Sequence, residues 1–308
     1  MQRVVVLGGS GMLGRAVRAE LARRGIAHLA PGRADVDLAV PGSVERYLVP
    51  WRAEGTAAAA EGHPRWVINC AAFTDVEAAE RDGELAHRVN GEAVGELARA
   101  CAATGRVLLH FSAEDVFDGC GRTPFPPEAP RNPLNAYGKS KARGEELVED
   151  SGADHLIVRT SGLYAPWGNN FLLAMRRRLR EPELVRVIED RWVRPSSVMS
   201  VARAALDLLR LGERGRLHVA DGTICSWYEF ARALHEGWDG LARLEPCSRA
   251  EPAEHPRPGQ ATTEQAGGGH AQRPAYGVLD ISRTEALVGR APSLGAALSE
   301  VLSHLADG

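Results

Sequence analysis

Val4-Val5-Val6-Leu7-Gly8-Gly9-Ser10-Gly11-Met12-Leu13-Gly14 runs from a short apolar stretch into a helical pattern, through a turn with glycine at positions 8, 11 and 14. Each glycine answers a separate steric demand. One lets the chain turn tightly, one lets backbone approach a pyrophosphate, and one lets the following helix pack close to the strand. The helix that opens after the turn offers free N–H groups and the positive end of its dipole to a phosphate. The position of the triplet between strand and helix reads as a dinucleotide-binding turn.

Outward from that turn, residues 12–24 place Leu13, Val17 and Leu21 on one helical face. The stretches 66–69, 107–111 and 156–159 read as buried strands, and 85–103 as a helix. Alternation of this kind implies parallel strands joined by right-handed crossovers. The expected fold class is therefore α/β, a Rossmann-type doubly wound parallel sheet. The alanine-rich stretch 53–61 reads as an extension without chemistry. The stretch 251–270, rich in Pro, Gly, Gln and Glu, is expected to be a mobile loop. His255 and His270 lie in it and read as solvated, so no metal site is expected.

Charge and cysteine usage exclude several function classes. A net charge of −3 over 308 residues gives no general pull toward nucleic acid or an anionic membrane. Cys70, Cys101, Cys120, Cys225 and Cys247 are odd in number and contain no CxxC pair. That argues against a disulfide framework or thiolate metal site and suits a reducing cytoplasm. The opening apolar run is broken by glycine too soon for a signal peptide or membrane span. The expectation is a cytoplasmic protein with neither nucleic acid nor membrane as partner.

Two further features carry chemistry. A weak second strand near 27–30 is followed by Arg33, where an arginine can accept the 2′-phosphate of NADP and an acid would bind the 2′-hydroxyl of NAD. NADP is therefore the expected cofactor, with NAD the alternative. Tyr137 and Lys141 are one helical turn apart and share a face. Ketone reduction needs a proton donor beside a hydride donor. A nearby ammonium can stabilise the phenolate of a tyrosine whose ordinary pKa is near 10. Lys141 can do that and also hold cofactor ribose hydroxyls, leaving Tyr137 as general acid.

Several stretches together carry a family resemblance. The GxxGxxG turn resembles that of short-chain and extended dehydrogenases. Val67-Ile68-Asn69-Cys70-Ala71-Ala72-Phe73-Thr74 resembles the VINAAAYT segment of the dTDP-4-dehydrorhamnose reductase family, and Asn90 lies in a VNAEA-like run. Ser112-Ala113-Glu114-Asp115-Val116-Phe117-Asp118-Gly119 is similar to STDYVFDG. Arg159-Thr160-Ser161, Gly168-Asn169-Asn170-Phe171, the stretch from Asp190 to Ser196, Ser226-Trp227-Tyr228-Glu229-Phe230-Ala231 and Arg273-Pro274 resemble RTS, GNNF, DQxGxPT, SWYEFA and the RPxxSxL run in turn.

The resemblance implies NAD(P)H-dependent reduction of the 4-keto group of a dTDP-linked deoxysugar. By position, Gly11, Met12, Leu13, Asp37, Leu38, Ala72, Phe73, Thr74, Tyr137 and Lys141 match cofactor contacts, and Ala71 lies in the same run. A Rossmann domain of residues 1–165, rejoined by 196–222, would be capped by a smaller C-terminal substrate lobe of 166–195 with 223–308. Ala113, Glu114, Asp115, Gly162 and Asn170 would line the sugar site, with Arg194 and Arg273 gripping the diphosphate. A monomer or homodimer is expected.

Departures fall on the substrate side. Ala113 stands where STDYVFDG has threonine, Asp115 where it has tyrosine, and Gly162 where tryptophan follows RTS. Ser112 is a candidate for the lost hydroxyl, but neighbouring strand residues point to opposite faces, so it cannot simply replace it. Loss of two rings is expected to open the pocket for a different sugar. Two other readings stand beside the reductase: a cofactor-binding regulatory subunit resembling the methionine adenosyltransferase β subunit, and a nucleotide-sugar epimerase or dehydratase with Glu114 as its additional acid–base group.

Overall fold

The computed structural model describes residues 3–48, 64–238, 240–250 and 271–306. The expected additions at 53–61 and 251–270 lie outside the described residues. The chain begins with β1 (Arg3–Leu7), α1 (Met12–Arg23), β2 (His28–Leu29), α2 (Ser43–Leu48) and β3 (Pro64–Asn69). Next come α3 (Val76–Arg81), α4 (Gly83–His87), α5 (Ala93–Ala103), β4 (Val107–Ala113), α6 (Ala136–Glu149) and β5 (His155–Thr160). The helix expected over 85–103 is built from α4 and α5 with a widened π-helical turn, Arg88–Glu92, between them. Apolar spacing does not reveal such a turn, which inserts one residue without breaking the helix.

The later chain forms β6 (Leu163–Tyr164), α7 (Phe171–Arg178), β7 (Leu184–Ile188), β8 (Trp192–Val193), β9 (Ser196–Ser197) and α8 (Val198–Leu211). It ends with β10 (Gly215–His218), β11 (Cys225–Ser226), α9 (Trp227–Gly237), β12 (Arg243–Cys247), α10 (Ser282–Val288) and α11 (Leu294–Ala306).

Six strands form one sheet in the order β10-β5-β4-β3-β1-β2, every pair parallel. The expected doubly wound α/β fold is present. Its strands are buried on both faces and so read as continuous apolar runs. Val4, Val6, Ile68, Leu109 and Val158 face α1 and α8. Val5, Val67, Leu108 and Ile157 face the other side, against Val94, Leu97 and Cys101 of α5. A separate core gathers Phe171 and Met175 of α7, Phe230 and Leu234 of α9, Leu298 and Val301 of α11, and Val185 of β7. From β1 the chain steps outward to β2, then crosses to β3 on the opposite side. Ligands of such sheets bind at that switch, beyond the carboxyl ends of the strands.

Helix α6 is fastened to the sheet by a buried ion pair. Arg159 of β5 reaches both carboxylate oxygens of Glu145 at 2.8 and 2.6 Å, and both side chains are wholly buried. Arg159 also donates to the Pro127 carbonyl at 2.9 Å and lies over the Phe117 ring. Arg131 adds a third contact to Glu145 at 3.1 Å. Burial opposes the charged carboxylate of Glu145, but Arg159 more than offsets it and the pKa falls below the ordinary value. Removing one partner strands the other charge, so Glu145→Ala is expected to cost about 3–5 kcal/mol. The double replacement Glu145→Leu with Arg159→Met should cost less than either single change. Urea denaturation of the three variants checks this, and single losses below about 1 kcal/mol would contradict it.

Candidate functional site

The glycine turn after β1 is built for close approach. Gly8 has φ of 70°, and a Cβ there would stand 2.5 Å from the Ala71 amide nitrogen. A Cβ on Gly14 would fall on the Gly8 carbonyl oxygen. The first turn of α1 thus lies tight over the strand end, its leading amides free of intrahelical partners. The loop after β3 closes the other side of this cradle. Ala71 donates to Asn69 Oδ1 at 3.1 Å. Asn90, from the widened turn, accepts from the Phe73 N–H at 2.8 Å, donates to its carbonyl at 2.9 Å and also donates to Ser140 Oγ. Ala72 is half-buried and Thr74 exposed along the same loop.

Past the end of β2, Arg33 is exposed and pairs with Asp37 at 3.1 Å. The Asp37 carboxylate is held below its ordinary pKa chiefly by the Ala39 N–H. Leu38 points into the core, which leaves only its backbone for a ligand. Asn170 is placed otherwise than expected. Its Oδ1 caps α7 at the Leu173 N–H and its Nδ2 donates to the Ala165 and Trp167 carbonyls. With both ends engaged it shapes its own loop. Trp167 in turn donates to the Met12 carbonyl at 3.0 Å and lies beneath the Arg15 guanidinium, joining this loop to the phosphate turn.

Asn135 caps α6 through the Gly138 N–H, and Gly138 lets the helix touch the backbone of Asp115, where a Cβ would collide with a carbonyl. This docking sets Tyr137 beside Glu114 and Asp115. Burial and those two carboxylates push the Tyr137 phenol well above its ordinary pKa, with Arg273 opposing. Lys141 is buried and donates to the Phe111 carbonyl at 2.7 Å, with His110 Nε2 at 3.4 Å. Burial lowers its pKa to about 8, against the pull of Glu145. The charge expected to act on the phenol is thus turned toward β4 instead. Of 37 basic residues, only Lys139 and Lys141 are lysines. Lysine loses its proton when buried and arginine does not, so a lysine kept here in an arginine-rich chain is a signal the sequence carried.

On the substrate side, Glu114, Asp115, Arg191 and Arg273 converge. Burial and Asp115 push the Glu114 carboxyl up to about 7, while Arg191 and the Gly162 N–H favour its charged form. Arg191 lies 4.0 Å from Glu114 and above the Trp227 ring. Its Nε is buried without a hydrogen-bond partner among the described residues. Sequence reasoning missed Arg191, although it stands where the DQxGxPT pattern has glutamine. Arg273 contacts Glu77 at 3.4 Å and remains partly exposed. The structure gives Arg194 a different task from the expected grip on diphosphate. Its guanidinium donates to the carbonyls of Leu279, Asp221 and Gly222, tying loops together.

Ala113 is buried at the end of β4. Ser112 lies on the same strand face as His110, beneath α6 and beside Glu145, and its hydroxyl makes no hydrogen bond of good geometry among the described residues. It therefore cannot stand in for a hydroxyl at position 113. At Gly162 the expected opening is filled, since a Cβ there would lie 3.0 Å from the Trp227 ring. Among the described residues no His/Cys/Asp/Glu group could hold a metal, and no helix is long and apolar enough to cross a membrane. The five cysteines form no disulfide.

Residues 1–306 match a family model described as RmlD substrate binding domain. A dTDP-4-dehydrorhamnose reductase of Streptomyces griseus is 36% identical over 289 residues, covering 92% of this chain and 87% of the relative. A dTDP-4-keto-6-deoxy-D-glucose reductase of Streptomyces niveus is 35% identical over 231 residues, covering 75% of this chain and 76% of the relative. The solved dTDP-4-dehydrorhamnose reductase of Bacillus anthracis, in complex with NADP, superposes with a TM-score of 0.84 at 27% identity, covering 99% of this chain and 100% of that one.

The Glu114 shift has a consequence for stability. Its pKa rises from 4.5 to about 7, so the folded protein keeps a proton that the unfolded chain releases. The stabilisation is complete below the unfolded value and is lost as pH rises through the folded one. Glu114→Gln should remove that slope. Denaturation at both ends of the window tests this, and an unchanged slope in the variant would refute it.

Proposed function

The chain belongs to the dTDP-4-dehydrorhamnose reductase family, and from that premise we propose that it reduces the 4-keto group of a dTDP-linked deoxysugar with NADPH, Tyr137 serving as proton donor. The observation that carries the role of Tyr137 is its placement. It lies half-buried at the head of α6, where burial and the neighbouring Asp115 and Glu114 carboxylates favour the protonated phenol. A reduction needs its acid loaded before hydride arrives. The cradle fits a dinucleotide: a Cβ at Gly8 or Gly14 would strike backbone, so glycine keeps the turn tight and leaves the first amides of α1 open to a pyrophosphate. The amides of Met12, Leu13 and Gly14 would face its phosphates, Arg33 the 2′-phosphate, and the 71–74 loop the ribose nearer the reaction. When bound, the cofactor supplies the hydride. Named reductases among the relatives favour this reading over a regulatory subunit or an epimerase.

The smaller core built on α7, α9 and α11 would form the substrate lobe. Arg191 and Arg273 are the cations best placed for the diphosphate or a polar sugar substituent, with Asp115 and Glu114 as acceptors for sugar hydroxyls. A monomer or homodimer in the cytoplasm agrees with five free cysteines. Ala113 and Asp115 direct the site to a sugar other than dTDP-4-dehydrorhamnose. NADPH oxidation measured across dTDP-4-keto sugars tests this, and fastest turnover on dTDP-4-dehydrorhamnose would count against it.

Two replacements probe the roles of individual residues. Tyr137→Phe should lower turnover by about 10²–10⁴ with NADPH binding kept. Normal turnover in that variant would exclude Tyr137 as the donor. Arg33→Ala should narrow the preference for NADPH over NADH, and an unchanged ratio of the two affinities would show that Arg33 makes no 2′-phosphate contact.

A further inference from the structure

Four hydrogen-bonded links run beneath the active face from one fixed backbone donor to one fixed backbone acceptor. The Ala71 N–H donates to Asn69 Oδ1 at 3.1 Å. This leaves the Asn69 Nδ2 amide as the group facing His110 Nδ1, at 3.1 Å. An amide NH₂ can only donate, so Nδ1 must accept, and a neutral imidazole then carries its proton on Nε2. Nε2 faces Lys141 Nζ at 3.4 Å, and Nζ donates onward to the Phe111 carbonyl at 2.7 Å. Every link is satisfied in one direction only if Nζ can accept, which an amine does and an ammonium does not.

We propose that His110 is a positioning residue for Lys141: Asn69 fixes its Nε2–H tautomer, which presents a donor to Nζ and biases Lys141 toward the neutral amine. The charges around Lys141 do not override this bias. On its own helix Glu145 favours the ammonium, but Arg159 of β5 and Arg131 already hold that carboxylate. Strand β3 offers only neutral Asn69, and on β4 burial disfavours a charged His110 and holds its pKa below the ordinary value. The lowered pKa of Lys141 agrees with the direction of the chain. Any part this plays in turnover rests on the function proposed above, whereas the protonation of Lys141 can be read without substrate or cofactor, so the two ideas fail separately.

The scarcity of lysine makes the test direct. Protein labelled with 13Cε-lysine should give two resonances, from exposed Lys139 and buried Lys141. Lys141 should titrate at least one unit or so below the ordinary lysine value of about 10.4. In 15N-histidine-labelled protein His110, identified by its loss in His110→Phe, should be a neutral Nε2–H imidazole. Asn69→Asp keeps an acceptor for the Ala71 amide but turns an acceptor toward Nδ1. It should switch His110 to Nδ1–H and raise the Lys141 midpoint by about one unit or more. In the His110→Phe background most of that rise should vanish. Titration of Lys141 together with Lys139, an Nδ1–H tautomer in the unmodified protein, or an equal rise in both backgrounds would each overturn the proposal. Because the Lys141 titration is read in the unmodified protein, a replacement that fails to fold leaves it decisive.

Discussion

The site depends on α6 lying in one position against the sheet, and the wholly buried Arg159–Glu145 pair is the interaction that fixes it. A hydrophobic contact alone would hold the helix near the sheet without setting its rotation. A bidentate pair between planar groups has directional demands, and both charges are out of water, so neither tolerates displacement. Near the other end of the helix Asn135 caps the first turn and Gly138 allows contact with the backbone of Asp115. Between these anchors the helix offers Tyr137 to the cleft and turns Lys141 inward. Rotation by one residue, about 100°, would carry both residues away from those positions.

A consequence of that placement is the separation of two protonation tasks. Burial and the nearby carboxylates raise the pKa of Tyr137, while burial lowers that of Lys141 against the pull of Glu145. Low dielectric amplifies both effects, because burial removes water that would otherwise level them. Arginine could not replace Lys141 in such a device, since it keeps its charge when buried. Lys141 is one of only two lysines in the chain, beside exposed Lys139.

What was legible in the sequence was local. The Gly8–Gly14 turn and the Tyr137–Lys141 spacing each lie within a few residues, so both patterns can be read without knowing the rest of the chain. Strand runs were clear because two-sided burial makes them continuous. The role of Asn170 was not legible, since an amide can cap its own helix or face a ligand, and the choice depends on where Ala165 and Trp167 place their carbonyls. Arg194 failed for the same reason, because its carbonyl partners come from residues 221–222 and 279. Arg191 and Trp227 acquire meaning only when β8 and β11 pair and bring them over Glu114 and Gly162. The widened turn at Arg88–Glu92 leaves apolar spacing nearly unchanged, yet it is what aims Asn90 at the 71–74 loop.

The substitutions on the substrate side are better understood together than singly. Gly162 would be a loss of surface if it opened a void, but Trp227 occupies that space. Asp115 would be an unpaired buried charge, yet Arg191 and Asn135 face it. A flat apolar wall has been exchanged for a polar floor in which two carboxylates and two guanidiniums oppose one another. Such a floor favours a ligand that brings hydrogen-bonding groups of its own, since each buried polar atom left unmatched costs about 1–3 kcal/mol. Arg191 Nε is already such an atom. The physical pressure on this pocket is therefore toward a ligand that brings polar groups of its own rather than one gripped mainly by aromatic rings.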